Sequence, residues 1–182
     1  MSLRRSKGSQ EREQHGHGVA QAWRLFHADV LRLARYVLGS DADADDACQE
    51  TFARMLRYGG KHGSRLLERK WVMTVAVNVC RTMLRRRRHT SALSADHVAS
   101  ATRPEAAAIA REHGRIALAA LDRLDPALRV PFVLFVLEGW SISEIAKSLK
   151  SPKGTIKWRL SRARCVLRGM LSKRLGGDDD AR

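Results

Sequence analysis

The stretch from Ser141 to Met170, SISEIAKSLKSPKGTIKWRLSRARCVLRGM, carries one helical period, breaks, and takes up the same period again. Ile142, Ile145, Ala146 and Leu149 recur at i, i+3, i+4 and i+7, and Ile156, Leu160, Ala163, Leu167 and Leu171 do so after the break. Each segment therefore has one apolar face to bury as a helix. Ser151 is expected to cap the second helix through its hydroxyl, with Pro152 at the first helical position, where its missing N–H costs nothing. A short helix, a tight turn and a longer helix make a helix-turn-helix. At 100° per residue Thr155, Trp158, Ser161 and Arg162 lie opposite the apolar stripe, flanked by Lys157, Arg159 and Arg164. Residues 150–174 hold nine Lys or Arg and no Asp or Glu, a density that suits phosphate neutralisation.

The rest of the chain agrees with a polyanion as partner. Its 182 residues carry a formal net charge of +15, and 44% of them are hydrophobic, enough for real cores. No apolar run approaches the roughly 20 residues that span a bilayer and no secretory signal opens the chain, so no membrane insertion and a cytoplasmic location are expected. Cys48, Cys80 and Cys165 are odd in number and widely spaced, which fits neither a disulfide framework nor a zinc site. Neither a metal nor a cofactor is expected.

Three further helical patterns precede the helix-turn-helix domain. Leu25, Phe26, Val30, Leu33, Ala34 and Val37 mark one, ending near Gly39; Cys48, Phe52, Met55 and Leu56 mark a second, capped by Ser40 or Asp41. In a third, from about Trp71 to Arg88, Val72, Val75, Ala76, Val79 and Met83 form the apolar side, while Thr74, Asn78, Arg81, Arg85 and Arg88 form a separate polar stripe. Two more amphipathic helices, Ile109 to Leu124 and one bearing Val130, Val133, Leu134 and Leu137, would pack against the helix-turn-helix. The expected fold is all-α: two small helical domains joined by a flexible linker. Its expected parts are a disordered basic arm over 1–18, a helical domain over 19–90, a linker over 91–111, the helix-turn-helix domain over 112–175 and an acidic tail over 176–182.

Charge divides the first domain in two. Asp41 to Glu50 contains five acids and no base in a strongly cationic chain. Such a patch repels DNA and suits a basic protein surface, so this domain is expected to bind a protein as well as nucleic acid. The cationic stripe of the third helix suits duplex phosphates or an opened strand, and Asn78 supplies an amide able to read base edges. A stand-alone helix-turn-helix regulator would leave both features idle. A metal nuclease built on Asp41, Asp43, Asp45 and Asp46 is disfavoured, because acids at that spacing point around a helix.

DADDACQETFARMLR, WVMTVAVNVCRTMLRRRRH and LDPALRVPFVLFVLEGWSISEIAKSLKSPKGTIKWRLSRAR, in that order, closely resemble the extracytoplasmic function group of bacterial RNA polymerase sigma factors, over roughly residues 20 to 90 and 112 to 172. The resemblance implies a non-catalytic initiation subunit that joins core polymerase, recognises a promoter and helps open it. It assigns polymerase binding to Asp45, Asp46, Gln49 and Glu50, with Phe52 as a buried anchor, and the minus-ten element to Asn78, Arg81, Arg85 and Arg88. It assigns the minus-thirty-five element to Ser151, Lys153, Thr155, Lys157, Trp158, Arg159, Arg162 and Arg164. It also implies an anti-sigma protein that holds the factor inactive. This chain departs from the group in having Lys150 where Gly often makes the turn, and in Trp158, where a small polar residue is common. The first departure predicts an altered turn. The second leaves the indole either meeting DNA or folding onto the domain.

Overall fold

The computed structural model describes residues 3–58, 65–91 and 116–175. These form seven helices: α1 (Leu3–Leu38), α2 (Asp41–Tyr58), α3 (Arg69–Ser91), α4 (116–122), α5 (Pro126–Val136), α6 (Ile142–Leu149) and α7 (Lys153–Leu175). The described residues include no strand. The chain divides into two compact units, Met1–His97 and Val98–Arg182.

In the first unit α1 packs against both α2 and α3, which also pack on each other. Val30, Leu33, Ala34 and Val37 of α1 are buried at the expected period. Gly39 ends the helix with φ of 70°, a left-handed conformation that glycine adopts without steric cost, and its N–H donates to the Arg35 carbonyl at 2.9 Å. Ser40 follows at once as the cap of α2, its hydroxyl accepting from the Asp43 N–H at 3.3 Å. On α3 the buried side is wider than one stripe, since Met73, Val77, Cys80 and Leu84 are buried beside Val72, Ala76 and Val79. Burial pushes the Cys48 thiol up to about 11 and the Cys80 thiol up to about 12. Cys165 on α7 is exposed.

Several expectations need correction. Residues 1–18 do not form a disordered arm throughout, because α1 begins at Leu3. Its first half carries good helix formers in the run QEREQ and continues the α1 face through His15, Gly18, Val19 and Ala22, the last two buried. Leu25 falls off that line and is 57% exposed rather than part of the core, and Leu56 at the end of α2 and Leu137 just past α5 are exposed as well. Pro131 lies inside α5, five residues after Pro126, and Asp125 caps that helix by accepting from the Ala127 N–H at 2.6 Å. The expected linker over 91–111, apart from Ser91 at the end of α3, and the expected tail over 176–182 lie outside the described residues.

In the second unit α5, α6 and α7 pack on one another. Ser141 and Glu144 start α6 with a reciprocal capping box: the Ser141 hydroxyl accepts from the Glu144 N–H at 3.3 Å and the Glu144 carboxylate accepts from the Ser141 N–H at 2.9 Å. Lys150 ends α6 in the left-handed region, at φ 51° and ψ 49°. Its N–H donates to Lys147 O, and the Ser151 N–H donates to Ala146 O at 3.0 Å, the double closure of a Schellman motif. The turn expected of glycine is therefore kept, with a lysine at the strained position. That commits Ser151 to α6, and its hydroxyl donates to Leu149 O at 3.3 Å rather than capping α7. Pro152 takes the capping place instead, its carbonyl accepting from the Ile156 N–H at 3.2 Å.

Lys150→Gly removes the left-handed strain and leaves both backbone bonds intact, so it is expected to raise stability by about 0.5–1 kcal/mol. Urea unfolding of the two proteins checks this; a less stable glycine variant would contradict it. A thiol reagent at pH 8 is expected to modify Cys165 alone in the folded protein and all three cysteines after unfolding. Modification of Cys48 or Cys80 at a similar rate would show that their helices open readily.

Candidate nucleic-acid and protein interfaces

The acidic run at the start of α2 is sorted by its pairing. Asp41 meets Arg35 of α1 at 2.9 Å, and Asp43 pairs with Arg87 of α3. At the other end Glu50 bridges Arg54 at 2.7 Å and Arg57 at 2.9 Å within α2. Its hydrogen bond from Arg54, aided by the charge of Arg57, holds the Glu50 carboxyl below the usual carboxylate range. Asp45, Asp46 and Gln49 stay exposed, and neither aspartate enters an ion pair among the described residues. Of the four residues expected to meet a protein, these three form an open face, whereas Glu50 is half-buried and already engaged. Phe52 is buried beneath them, its ring edge-on to Trp23 at 4.7 Å between centroids.

On α3 the four predicted nucleic-acid residues keep to one side of the helix. Asn78, Arg85 and Arg88 are exposed and Arg81 is half-buried, at a spacing that stacks them along one line. Arg87, in the same run of four arginines, is turned inward by Asp43 and donates to the Leu38 carbonyl at 3.2 Å, which the end of α1 leaves without a helical partner. Trp71 is half-buried at the start of the helix. Arg69, two residues earlier in the same helix, pairs at 2.7 Å with Asp29 of α1, and that hydrogen bond lowers the Asp29 carboxyl from its ordinary value.

The second unit presents the outer face of α7. Ile156, Leu160, Ala163 and Leu167 are buried, which turns Thr155, Trp158, Arg162 and Cys165 outward in one line. Trp158 is 63% exposed, so the indole stands off the domain instead of folding onto it. Lys153 and Lys157 are exposed and Arg159 is half-buried beside this line. Arg164 is exposed but lies to one side, its guanidinium 5.4 Å above the Phe135 ring of α5. Ser151 sits in the turn, its hydroxyl committed to Leu149 O. The Ser141–Glu144 box that sets α6 falls outside the sequence expectations, although it is legible as S-x-x-E.

Residues 22–90 match the model of sigma-70 region 2, and residues 114–164 match that of sigma-70 region 4. The chain is 33% identical over 154 residues to the ECF RNA polymerase sigma factor SigM of Mycobacterium tuberculosis, covering 83% of this chain and 76% of that protein. This chain belongs to the ECF sigma factors. It is also 36% identical over 153 residues to the ECF sigma factor SigE of Mycolicibacterium smegmatis, covering 81% of this chain but only 59% of that relative. Its fold is similar to that of the sigma factor RpoE of Bartonella quintana, solved with the anti-sigma factor NepR, with a TM-score of 0.67 at 22% identity over 84% of this chain and 96% of that one. CnrH, solved with the cytosolic domain of CnrY, aligns with a TM-score of 0.55 at 20% identity, covering 90% of this chain and 97% of that one. The family is one of non-catalytic transcription initiation factors. Among the described residues of this ECF sigma factor no cluster of His, Cys, Asp or Glu could hold a metal, and no helix is long and apolar enough to cross a membrane.

The outward line of α7 gives a salt-dependent test. Arg162→Ala is expected to lower the slope of log affinity against log salt by about 1 when the full chain binds duplex DNA, whereas Trp158→Ala leaves the slope unchanged. Equal slopes for wild type and Arg162→Ala would mean that this arginine does not meet a phosphate.

Proposed function

We propose that this chain directs core RNA polymerase to a set of promoters and helps open them, with three surfaces dividing the work. The open acidic face of Asp45, Asp46 and Gln49 docks on a basic surface of core polymerase, and Glu50 stiffens its edge through Arg54 and Arg57. The α3 line of Asn78, Arg81, Arg85 and Arg88 meets the minus-ten element, with the arginines on phosphates and the Asn78 amide on a base edge. The α7 residues Lys153, Thr155, Lys157, Trp158, Arg159 and Arg162 meet the minus-thirty-five element, with Arg164 at the edge of that surface and the Ser151 backbone shaping the turn before it.

One observation carries this reading best: among the described residues a single three-helix unit leaves Asp45 and Asp46 exposed and outside any ion pair on α2, while Asn78, Arg85 and Arg88 are exposed along one side of α3. A DNA-binding domain alone has no use for the first surface, which repels a duplex. The chain acts without chemistry of its own, in the cytoplasm where polymerase and promoter meet, and an anti-sigma protein keeps it from polymerase until a signal arrives. The two solved relatives, RpoE with NepR and CnrH with CnrY, support such a partner.

Replacing Asp46 and Gln49 together by alanine is expected to weaken binding to purified core polymerase by about tenfold or more, the loss typical of an interface hot spot. Affinity of the same full-length variant for duplex DNA should stay within about twofold of wild type, since surface changes far from a contact add little. Parallel loss of both affinities would overturn the division of labour.

A further inference from the structure

One face of the first half of α1 touches both flanks of residues 59–64. His15 Nε2 lies 3.0 Å from the Met55 carbonyl and 3.1 Å from the Leu56 carbonyl, across 40 residues of sequence. A carbonyl only accepts, so Nε2 carries the hydrogen and donates to both. These carbonyls belong to the last turn of α2, which ends at Tyr58 and whose final four carbonyls lack partners within the helix. His15 thus caps α2 from a neighbouring helix. Among the described residues its Nδ1 is buried without a hydrogen-bond partner, so the polar contacts seen for the ring are those of Nε2.

One turn further along the same face, Gly18 admits Leu66. A Cβ at residue 18 would lie 3.0 Å from Leu66 Cδ1, and Leu66 is buried. Leu66 stands three residues before α3, in a turn closed by the Glu68 N–H on Arg65 O at 2.9 Å and continued by the Trp71 N–H on Glu68 O at 3.0 Å. Val19 and Ala22, both buried, complete the i, i+3, i+4, i+7 face. Three glycines and two histidines in the first half of a long helix lower its intrinsic helicity. Here Gly18 and His15 fit contacts that a larger or apolar residue would not make.

We propose that His15 and Gly18 are positioning residues for promoter opening: by clamping the end of α2 and the lead-in to α3 onto α1, they hold the polymerase-docking helix and the minus-ten-reading helix in fixed register. The inference rests on the sigma-factor reading above. The clamp lies at the far end of α2 from Asp45, Asp46 and Gln49, at least six residues or roughly 9 Å along the helix. Its loss therefore separates from loss of docking.

The test uses the full chain with core polymerase on a promoter it transcribes, either fully duplex or with the minus-ten stretch held open by mismatches. His15→Ala removes the donor; His15→Gln restores an N–H donor; Gly18→Val keeps helix propensity but displaces Leu66. His15→Ala and Gly18→Val are expected to bind core polymerase within about twofold of wild type and to initiate about fivefold less on duplex DNA, the size of one lost hydrogen bond. Both should recover on the pre-opened template, and His15→Gln should initiate near the wild-type rate on both. Should His15→Ala fail to fold, as thermal unfolding would show, Gly18→Val against wild type decides on the same two templates. Wild-type initiation by both altered chains on duplex DNA, or equal loss on both templates, overturns the proposal. Failure of the wild-type chain to initiate on either template overturns the sigma-factor reading instead.

Discussion

The first unit depends on a single long helix that buries one face along most of its described length. Val19, Ala22, Val30, Leu33, Ala34 and Val37 are all buried on α1, and both α2 and α3 pack against that helix. Burying each Val or Leu of such a face contributes about 1.5–3 kcal/mol, so this seam dominates the stability of the unit. Register comes from elsewhere. Three ion pairs each join a different pair of helices: Arg35 with Asp41 links α1 to α2, Asp29 with Arg69 links α1 to α3, and Asp43 with Arg87 links α2 to α3. Partly exposed pairs of this kind contribute about 0–1 kcal/mol each. Their effect is to fix which side of each helix faces in.

That sorting produces the functional surfaces. In a chain of net charge +15, the acids of the first unit seen in ion pairs among the described residues are Asp29, Asp41, Asp43 and Glu50. Asp45 and Asp46 are left over as an open negative face. The same pairs withdraw Arg69 and Arg87 from α3 and leave Arg85 and Arg88 exposed on it. On the proposed function, opposite potentials on adjacent helices of one small unit give a basic protein and an acidic duplex separate surfaces. In the second unit α7 buries its apolar stripe and turns outward a line bearing Trp158 and Arg162, with Lys153 and Lys157 exposed beside it.

Most of this was legible in the sequence, because apolar residues at 3.6-residue spacing dominate α2, α3, α6 and α7. The two helices of the helix-turn-helix are legible, but the altered turn expected from Lys150 does not occur, because Lys150 accepts the left-handed conformation. The first half of α1 was not legible by the same rule. Its face is completed by a histidine and a glycine, residues that signal loops when read locally, and their partners Met55, Leu56 and Leu66 lie about 40 to 50 residues away. The cap of α7 was misread for a related reason. Ser151 followed by Pro152 looks like a helix start, but the Schellman closure of α6 takes the Ser151 N–H first. Within the basic run Arg85 to Arg88, composition cannot tell the inward Arg87 from its neighbours; only the position of Asp43 across the interface does so.

The central claim is that these surfaces together make a promoter-specificity subunit. Run-off transcription with purified core polymerase and a library of upstream genomic fragments, with and without this protein, tests it most directly. The account predicts discrete start sites that appear only when the protein is present, with a shared sequence at minus ten and minus thirty-five in the templates that yield them. No new start sites, together with tight sequence-specific DNA binding by the protein alone, would contradict it.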